Sequence, residues 1–448
     1  MISVCCFDSL PAAAHLRDEV NALNRRSARP DPFSTFEFFE NYQRNGDVQP
    51  PGHSPQLWFL AAFRAGRLIA YLALEQVTHR ILWIRVATLG FLVTHDGDRP
   101  HLVASPDDQQ DASAAIYKHL LERRREWALL ELQQQDASSP LFPPPAAADL
   151  SGHLVSQWPS LPNCTIHVRW ATLHDYVAAM DKKFRSNLDR QLRHLIAAGR
   201  LEWLSSSDPL ATPALLELYR SIEPRSWKSS THTSIGSHPQ RTAYFEGLLQ
   251  AHQPMRVSIQ ILLLDDVPIA GLINGGFGDG LYALHIVYDE AFSLFTPGSA
   301  MLLLGMRQAI QGGFGSFNLL SGFDYYKARW LAQASDTQIA QIYRVGTLPY
   351  WHRKLGDWKR VLFPGRADPV RALFNPLRRK VGRRQHAPAG LGKSPAITIQ
   401  PAQRLQWIEL ISLVRRSAGD SLSAAALATV LQIKTPAASR VPRSTHSS

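Results

Sequence analysis

A chain of 448 residues is longer than one ordinary core requires and predicts two to three domains. Hydrophobic residues at 45% against 19% charged exclude a disordered chain, and apolar runs such as 261–264 and 301–304 are far too short to span a membrane. The formal net charge of +11 is not spread evenly: residues 344–393 hold 13 Lys/Arg and 2 Asp/Glu, which leaves the rest of the protein near neutral.

In chain order, 12–24 and 32–44 carry helical spacing, and 56–64 and 67–75 read as paired strands about the turn Arg64-Ala65-Gly66-Arg67. A β-rich run at 80–93, a helix at 107–127 and a short strand at 128–132 follow. Residues 136–163 are rich in Pro, Ser and Ala and read as an exposed linker between two lobes. The element order then repeats. Helices are expected at 173–180 and 182–198, a strand at 201–205, helices at 213–222 and 240–251, and a strand pair at 256–264 and 268–275. Beyond these come a strand at 280–288, a helix at 297–312, and strands at 316–319 and 337–345. Ile69-Ala70 follows the first turn as Ile269-Ala270 follows the second, so one motif is used twice. The fold expected is α/β (α+β): an N-terminal lobe over 1–135, a linker over 136–163, a C-terminal lobe over 164–347, a basic helical extension over 348–384 and a largely disordered tail over 385–448 with one short amphipathic helix.

Chemistry concentrates between residues 282 and 330. In Thr296-Pro297-Gly298-Ser299, Thr296 is a good N-cap and Pro297 a favoured first helical residue. Gly298 would let a ligand approach the backbone. The unpaired amides of the helix start, through Ser299 and Ala300, would then hold a diphosphate. The Gly-rich stretch 275–280 joins two strands and reads as a hairpin loop rather than a phosphate cradle. Motifs for P-loop, HExxH, GxSxG or dinucleotide chemistry are missing. Cys5, Cys6 and Cys164 suggest neither a disulfide framework nor a metal site, and the N-terminus has no basic region ahead of its apolar residues. A cytoplasmic protein is the expectation. The basic stretch 344–393 reads first as a solvated tail; it could also give peripheral contact with anionic lipid, while the near-neutral body argues against nucleic acid.

Residues 165–335 resemble the acetyltransferases linked to bacterial cellulose and exopolysaccharide biosynthesis, the CelD/BcsL type. The resemblance rests on Phe184-Arg185-Ser186-Asn187-Leu188 with Arg190, Arg193 and Gly199, on the EPRSWK segment 223–228, and on Pro268-Ile269-Ala270-Gly271. It continues through Tyr288-Asp289 with Thr296-Pro297-Gly298, and Gly313, Phe317-Asn318, Gly322 and Tyr326-Lys327 with Trp330. That family usually has an acidic residue where Asn318 stands. The resemblance implies two tandem GNAT-like lobes, FemAB-like in arrangement, the first degenerate because it lacks the Pro-Gly loop. It implies acetyl-CoA or another acyl-CoA as co-substrate, held near Tyr288 and 296–300. It implies transfer to an amine or hydroxyl of a sugar, a polysaccharide precursor or a small molecule. Tyr326 is then the candidate acid, Asp324 a candidate base, and His285 a third catalytic candidate. Arg185, Arg190, Trp227 and Lys327 are candidates for binding substrate. Two readings compete: a transferase using aminoacyl-tRNA, and a non-catalytic binding protein on the same fold.

Overall fold

The computed structural model describes residues 2–46, 55–81, 83–93, 97–231, 233–250, 252–322 and 325–362, without the side chains of 80–81, 325–326 and 357–362. Fifteen strands are described: β1 (Ile2–Phe7), β2 (Gln56–Arg64), β3 (Arg67–Ile81), β4 (Ile84–Phe91), β5 (Val103–Ala104), β6 (Leu129–Gln135), β7 (His153–Pro159), β8 (Asn163–His167), β9 (Leu201–Ser206), β10 (Arg256–Leu264), β11 (Val267–Phe277), β12 (Gly280–Tyr288), β13 (Ser316–Ser321), β14 (Gln333–Ser335) and β15 (Gln338–Arg344). They form two sheets, ordered β1-β2-β3-β4-β6-β15-β7 with β5 beside β3, and β14-β8-β13-β12-β11-β10-β9.

The duplication inferred from Ile-Ala is written in the backbone. In the first hairpin the register slips between Ala62, opposite Ala70, and Phe63, opposite Leu68. In the second it slips between Leu262, opposite Ala270, and Leu263, opposite Pro268. Both turns hold two residues at positive φ, Ala65 and Gly66 in one, Asp265 and Asp266 in the other. Such turns match the twist of the strands they join. Each lobe also contains one parallel pair, β4 with β6 and β12 with β13, and each of β6 and β13 carries a left-handed residue, Gln134 (φ 52) and Leu320 (φ 59).

Sequence reading and structure part company at the lobe boundary. The segment expected to be an exposed linker contains β7, and β8 starts at its end. β15, assigned from sequence to the second lobe, lies in the first sheet between β6 and β7. β8, which opens the second lobe, lies in the second sheet between β13 and β14. The lobes are therefore interlocked by one strand, β15, which the second half of the chain lends to the first sheet. They also share a core. Leu10, Phe36, Phe59 and Tyr71 belong to the same buried cluster as Tyr219, Tyr244, Ile259 and Val287. The helices Phe36–Asn45 and Pro239–Leu248 meet there, with Asn41 Nδ2 donating to the Tyr244 carbonyl at 3.0 Å. A Cβ on Gly247 would lie 2.0 Å from Asn41 Oδ1, so that approach requires glycine.

The helix Pro297–Gln311 packs on the opposite face of the second sheet, burying Ala300, Met301, Leu304 and Ala309. Covered on both faces, β10 reads RVSIQILLL, buried everywhere after Arg256. This is the apolar run of a doubly covered strand rather than an alternating one.

The run 80–93, expected only to be β-rich, holds the end of β3 and all of β4. Leu74 pairs with Phe91 as Asn274 pairs with Ala283, and Ala70 pairs with Ala104 as Ala270 pairs with Tyr288. β4 and β5 together therefore occupy the place of β12, interrupted by an excursion whose described residues are 92–93 and 97–102. In β12 only Leu284, His285 and Ile286 fill the same interval.

Candidate active site

β12 and β13 touch at only three positions, from Gly280 opposite Ser316 to Tyr282 opposite Asn318. Beyond Tyr282, β12 continues along β11, while β13 turns through the left-handed Leu320 and pairs Ser321 with Asn163 of β8. The strands splay, and among the described residues the outward edge of β12 from 283 to 288 has no partner strand. The register between β11 and β12 slips at the same place: Ile273 opposes His285 and Asn274 opposes Ala283, leaving Leu284 bulged. A bulge turns backbone groups off the ladder. At an open edge, the amide it frees is a hydrogen-bond donor of the kind that stabilises an oxyanion.

The splayed edge runs toward the start of the helix Pro297–Gln311. There the expected cap is not made. Thr296 sits in the left-handed region (φ 47, ψ 54) with no side-chain cap, and its hydroxyl donates instead to Gln191 Oε1 at 3.0 Å, on the helix Lys182–Ala197. For a β-branched residue this backbone is a true outlier, and such strain is tolerated only where the surroundings over-determine it. Pro297 has no N–H, and the Ser299 N–H bonds the Thr296 carbonyl at 2.9 Å. Among the described residues, the Gly298 N–H meets no backbone acceptor. The Ala300 N–H likewise meets none, so the row of free amides expected from sequence narrows to Gly298 and Ala300, with the helix dipole. Ala300 is buried against the core. The space over Gly298 is also partly filled, since a Cβ there would lie 3.3 Å from Tyr288 Cδ1. The glycine makes room for the Tyr288 ring as well as for any ligand.

His285 is not placed to take a proton from a substrate. Its Nδ1 lies 2.8 Å from Tyr219 Oη and its Nε2 2.7 Å from Lys228 Nζ and 3.1 Å from the Thr233 carbonyl. The ring is buried, which depresses its pKa well below the usual histidine range, and the cations Lys228 and Arg241 push it the same way. Lys327, expected to bind substrate, is buried with its ammonium donating to the carbonyls of Leu319 (2.9 Å) and Ser321 (3.2 Å). It pins the turned end of β13. Arg185 donates to the Ala178 carbonyl at 2.7 Å, and Arg193 pairs with Asp189 at 2.6 Å. Arg190 is exposed, with a 3.3 Å bond to Asn187, one residue before the Gln191 that holds Thr296. Trp227 is 40% exposed, with Lys228 Nζ 5.1 Å from its ring centroid. Asp324 and the side chain of Tyr326 lie outside the described residues.

Sequence reading passed over most of the EPRSWK segment. Glu223 accepts from the amides of Ile235 (2.7 Å) and Gly236 (3.0 Å), with its pKa raised by burial. Arg225 bonds Asp289 Oδ2 at 2.5 Å and the Pro268 carbonyl at 2.9 Å, clamping the end of β12. A short run of charged residues around a proline, with no helical partners at i+3 or i+4, is the signal that such clamps leave.

Asp98 was missed altogether. It rides on the first-lobe excursion and reaches the point where the second-lobe strands part. Its Oδ2 accepts from Asn163 Nδ2 at 2.7 Å and Asn318 Nδ2 at 3.3 Å, while its buried Oδ1 has no hydrogen-bond partner. A carboxylate therefore stands beside Asn318, delivered from the other lobe. The excursion is anchored by Arg29, which donates to Asp136 Oδ2 and the Arg99 carbonyl, both at 2.6 Å.

Asp31 lies in the same buried cluster, with His101 Nδ1 3.7 Å away and Ser34 donating to it at 2.6 Å. Burial outweighs these bonds and the Arg29 charge and raises its pKa to about 6. A carboxyl raised in the folded state contributes stability that is present below its unfolded pKa and lost as pH rises through the folded value. Asp31→Asn, a neutral side chain at every pH, should thus stabilise the protein at pH 8 by about 3 kcal/mol and leave it unchanged below pH 4. Denaturant melts at the two pH values check this, and an equal effect at both would refute the assignment.

Residues 182–328 match the family model described as an acetyltransferase (GNAT) domain. This is a GNAT-fold domain. The match covers the splayed strands, the bulge and the helix Pro297–Gln311, and the repeated hairpin extends the same plan to the first lobe, a tandem GNAT-like architecture. Solved structures similar to the chain include FemX (11% identity, 72% of this chain and 95% of that one, TM-score 0.48). Another is the C-terminal domain of a putative lysylphosphatidylglycerol synthetase from Agrobacterium fabrum (12% identity, 78% and 96%, TM-score 0.44). A third is a tandem GNAT protein from the clavulanic acid biosynthesis pathway (13% identity, 78% and 99%, TM-score 0.40). No curated protein matches the chain.

Proposed function

We propose that the chain is an acyl-CoA-dependent acyltransferase that uses the second lobe and transfers an acyl group to an amine or hydroxyl of a saccharide or small molecule. The observation that carries this reading is the open edge of β12, with Leu284 bulged out of register, leading to the start of the helix Pro297–Gln311. The thioester would lie along that edge with its carbonyl oxygen at the Leu284 amide and its diphosphate near Gly298 and Arg190. A lone pair on the acceptor attacks the carbonyl carbon, the C–S bond breaks, the acceptor loses a proton and the CoA thiolate gains one. Asp324 is proposed to take the first proton and Tyr326 to supply the second. His285, Lys228 and Tyr219 hold the bulge in place rather than react. In the first lobe the excursion between β4 and β5 interrupts the equivalent edge, so one acyl site per chain is proposed. The resemblance to exopolysaccharide-linked acetyltransferases favours a saccharide among the acceptors.

Calorimetric titration with acetyl-CoA, followed by thiol release on addition of glucosamine as an amine probe, tests the reading. Absence of heat with acetyl-CoA and longer acyl-CoAs would sink it. Unchanged turnover in Tyr326→Phe would remove that residue from the mechanism.

Among the described residues no helix is long and apolar enough to cross a membrane. The helix Leu348–Leu362 opens the basic segment, and everything after 362 lies outside the described residues. We propose that 344–393 rests on anionic lipid. Sedimentation with phosphatidylglycerol vesicles should carry down the full chain and leave a chain ending at 343 in solution; equal sedimentation of both would overturn this. Each basic residue near such a surface contributes about 1 kcal/mol at most, so the binding should fade with salt.

A further inference from the structure

The second lobe has a large cleft that the acyl-transfer reading does not use. It holds about 1020 Å³ between the ends of β9 and β10 and the C-terminal turn of the helix Pro297–Gln311. At 1.5 Å per residue, its Gln308 is about 15 Å along that helix from Gly298, so the cleft is separate from the proposed diphosphate position.

The floor of this cleft is built from side-chain amides. Gln260 Nε2 and Asn274 Nδ2 both donate to Gln308 Oε1, at 2.7 and 2.9 Å, and Gln308 Nε2 donates to Ser258 Oγ at 2.8 Å. This chain leaves Gln260 Oε1 and Asn274 Oδ1 buried with no hydrogen-bond partner, and the Trp203 Nε1 donor is orphaned beside them. Gln260 and Trp203 both line the cleft, although Gln260 is fully buried and Trp203 only 9% exposed. Turning the three amides around does not remove the mismatch. Gln308 would then donate to Gln260 and Asn274, whose NH₂ groups would be the ones left over. In the first arrangement the floor lacks both donors and an acceptor, in the turned one it lacks acceptors, and in each a buried polar atom without a partner is costly.

A hydroxyl group answers this need because it donates and accepts at once. The walls add to the same picture. Phe314 is seated against Gly276 and Gly312, where any Cβ would come within 2.9 Å and 2.7 Å of its ring. Together with Phe277 it offers apolar surface of the kind that lies against a sugar ring. The rim carries one exposed cation, Arg256, and one exposed anion, Asp208, so the cleft has no net charge to select an ion. We propose that this cleft is a second binding site, for a neutral polyhydroxylated ring compound of the saccharide class.

The test uses the full chain, with cellobiose and N,N′-diacetylchitobiose as probes, read by saturation-transfer NMR and by calorimetry. The wild type should bind at least one of them with a dissociation constant of about 1 mM. Gln260→Met removes the unpaired amide at nearly constant volume. Ser207→Trp, at an exposed rim position, blocks the mouth without touching the core and decides the matter should the first variant fold poorly. Each should weaken sugar binding about tenfold or more, with acetyl-CoA binding unchanged. No transfer to either sugar in the wild type would mean that the cleft takes solvent only and would overturn the proposal. So would sugar binding that both variants retain, which would place the sugar elsewhere. Loss of acetyl-CoA binding in both variants would show that the substitutions act through the fold, and would overturn it as well.

Discussion

Expressed apart, residues 1–160 and 161–448 should each fail to fold, and expressed together they should assemble into one soluble two-chain protein. β15 lies between β6 and β7 and is the only neighbour of β7 among the described strands. Its twelve register positions, five against β6 and seven against β7, correspond to on the order of ten ladder hydrogen bonds. At about 1 kcal/mol net each, their loss rivals the whole stability of an ordinary domain, about 5–15 kcal/mol. The apolar term adds to this, because Ala340 and Ile342 are buried in the first-lobe core. The 161–448 half keeps every strand of its own sheet but carries β15 with neither of its partners, β6 and β7. The shared core would also be cut, exposing Phe36, Phe38 and Phe39 in one half and Tyr219, Tyr244 and Phe245 in the other. Circular dichroism, size exclusion and cooperative melting of each half alone and of the co-expressed pair decide the question. A half that melts cooperatively on its own would show that β15 and the shared core are ornament rather than structure.

The crossing of β15 also explains which parts of the molecule could be read from sequence. The hairpins at 56–81 and 256–277, β12 at Gly280–Tyr288 and the start of the helix at Pro297 follow from local signals: turn residues, alternation and a proline at the first helical position. Their physics is contained in a window of ten or so residues. The placement of β15 in the first sheet is not local. Gln338–Arg344 reads as a strand wherever it docks, and only the partners waiting at β6 and β7 decide the lobe. β7 was hidden for another reason. Its residues HLVSQWP are half-exposed along most of their length and end in proline, as an edge strand's may be, so composition reads them as linker. The site divides in the same way. The loop at 296–298 was visible, but Thr296 spends its hydroxyl on Gln191, 105 positions earlier in the chain. Lys327 looked like a binding cation and turns out to tie down two carbonyls at the end of β13. The carboxylate beside Asn318 comes from Asp98, 220 residues away, on an excursion that only superposing one lobe's registers on the other's makes visible.

Gly298→Glu should weaken acetyl-CoA binding by about a hundredfold, whereas Gly298→Ala should change it only a few-fold. The two substitutions share a steric cost and differ in charge. At Gly298 a Cβ would meet the Tyr288 ring at 3.3 and 3.7 Å, so either variant asks that ring to yield by a few tenths of an ångström. The backbone there is not left-handed and adds no conformational strain. The glutamate, in contrast, places a carboxylate at the positive end of the helix Pro297–Gln311, where it takes up the field meant for the ligand. Two like charges about 4 Å apart repel by about 4 kcal/mol at an effective dielectric near 20. Solvent and the mobility of the side chain reduce this, and about 2.7 kcal/mol surviving corresponds to the hundredfold loss. Raising the salt concentration should narrow the gap between the two variants, since screening acts on the charge and not on the steric term. Calorimetry on the wild type and both variants, at low and high salt, separates the contributions. Equal and small losses in both would leave the diphosphate with some other anchor. An equal and large loss would point to the Tyr288 contact, and to a helix start that serves packing alone.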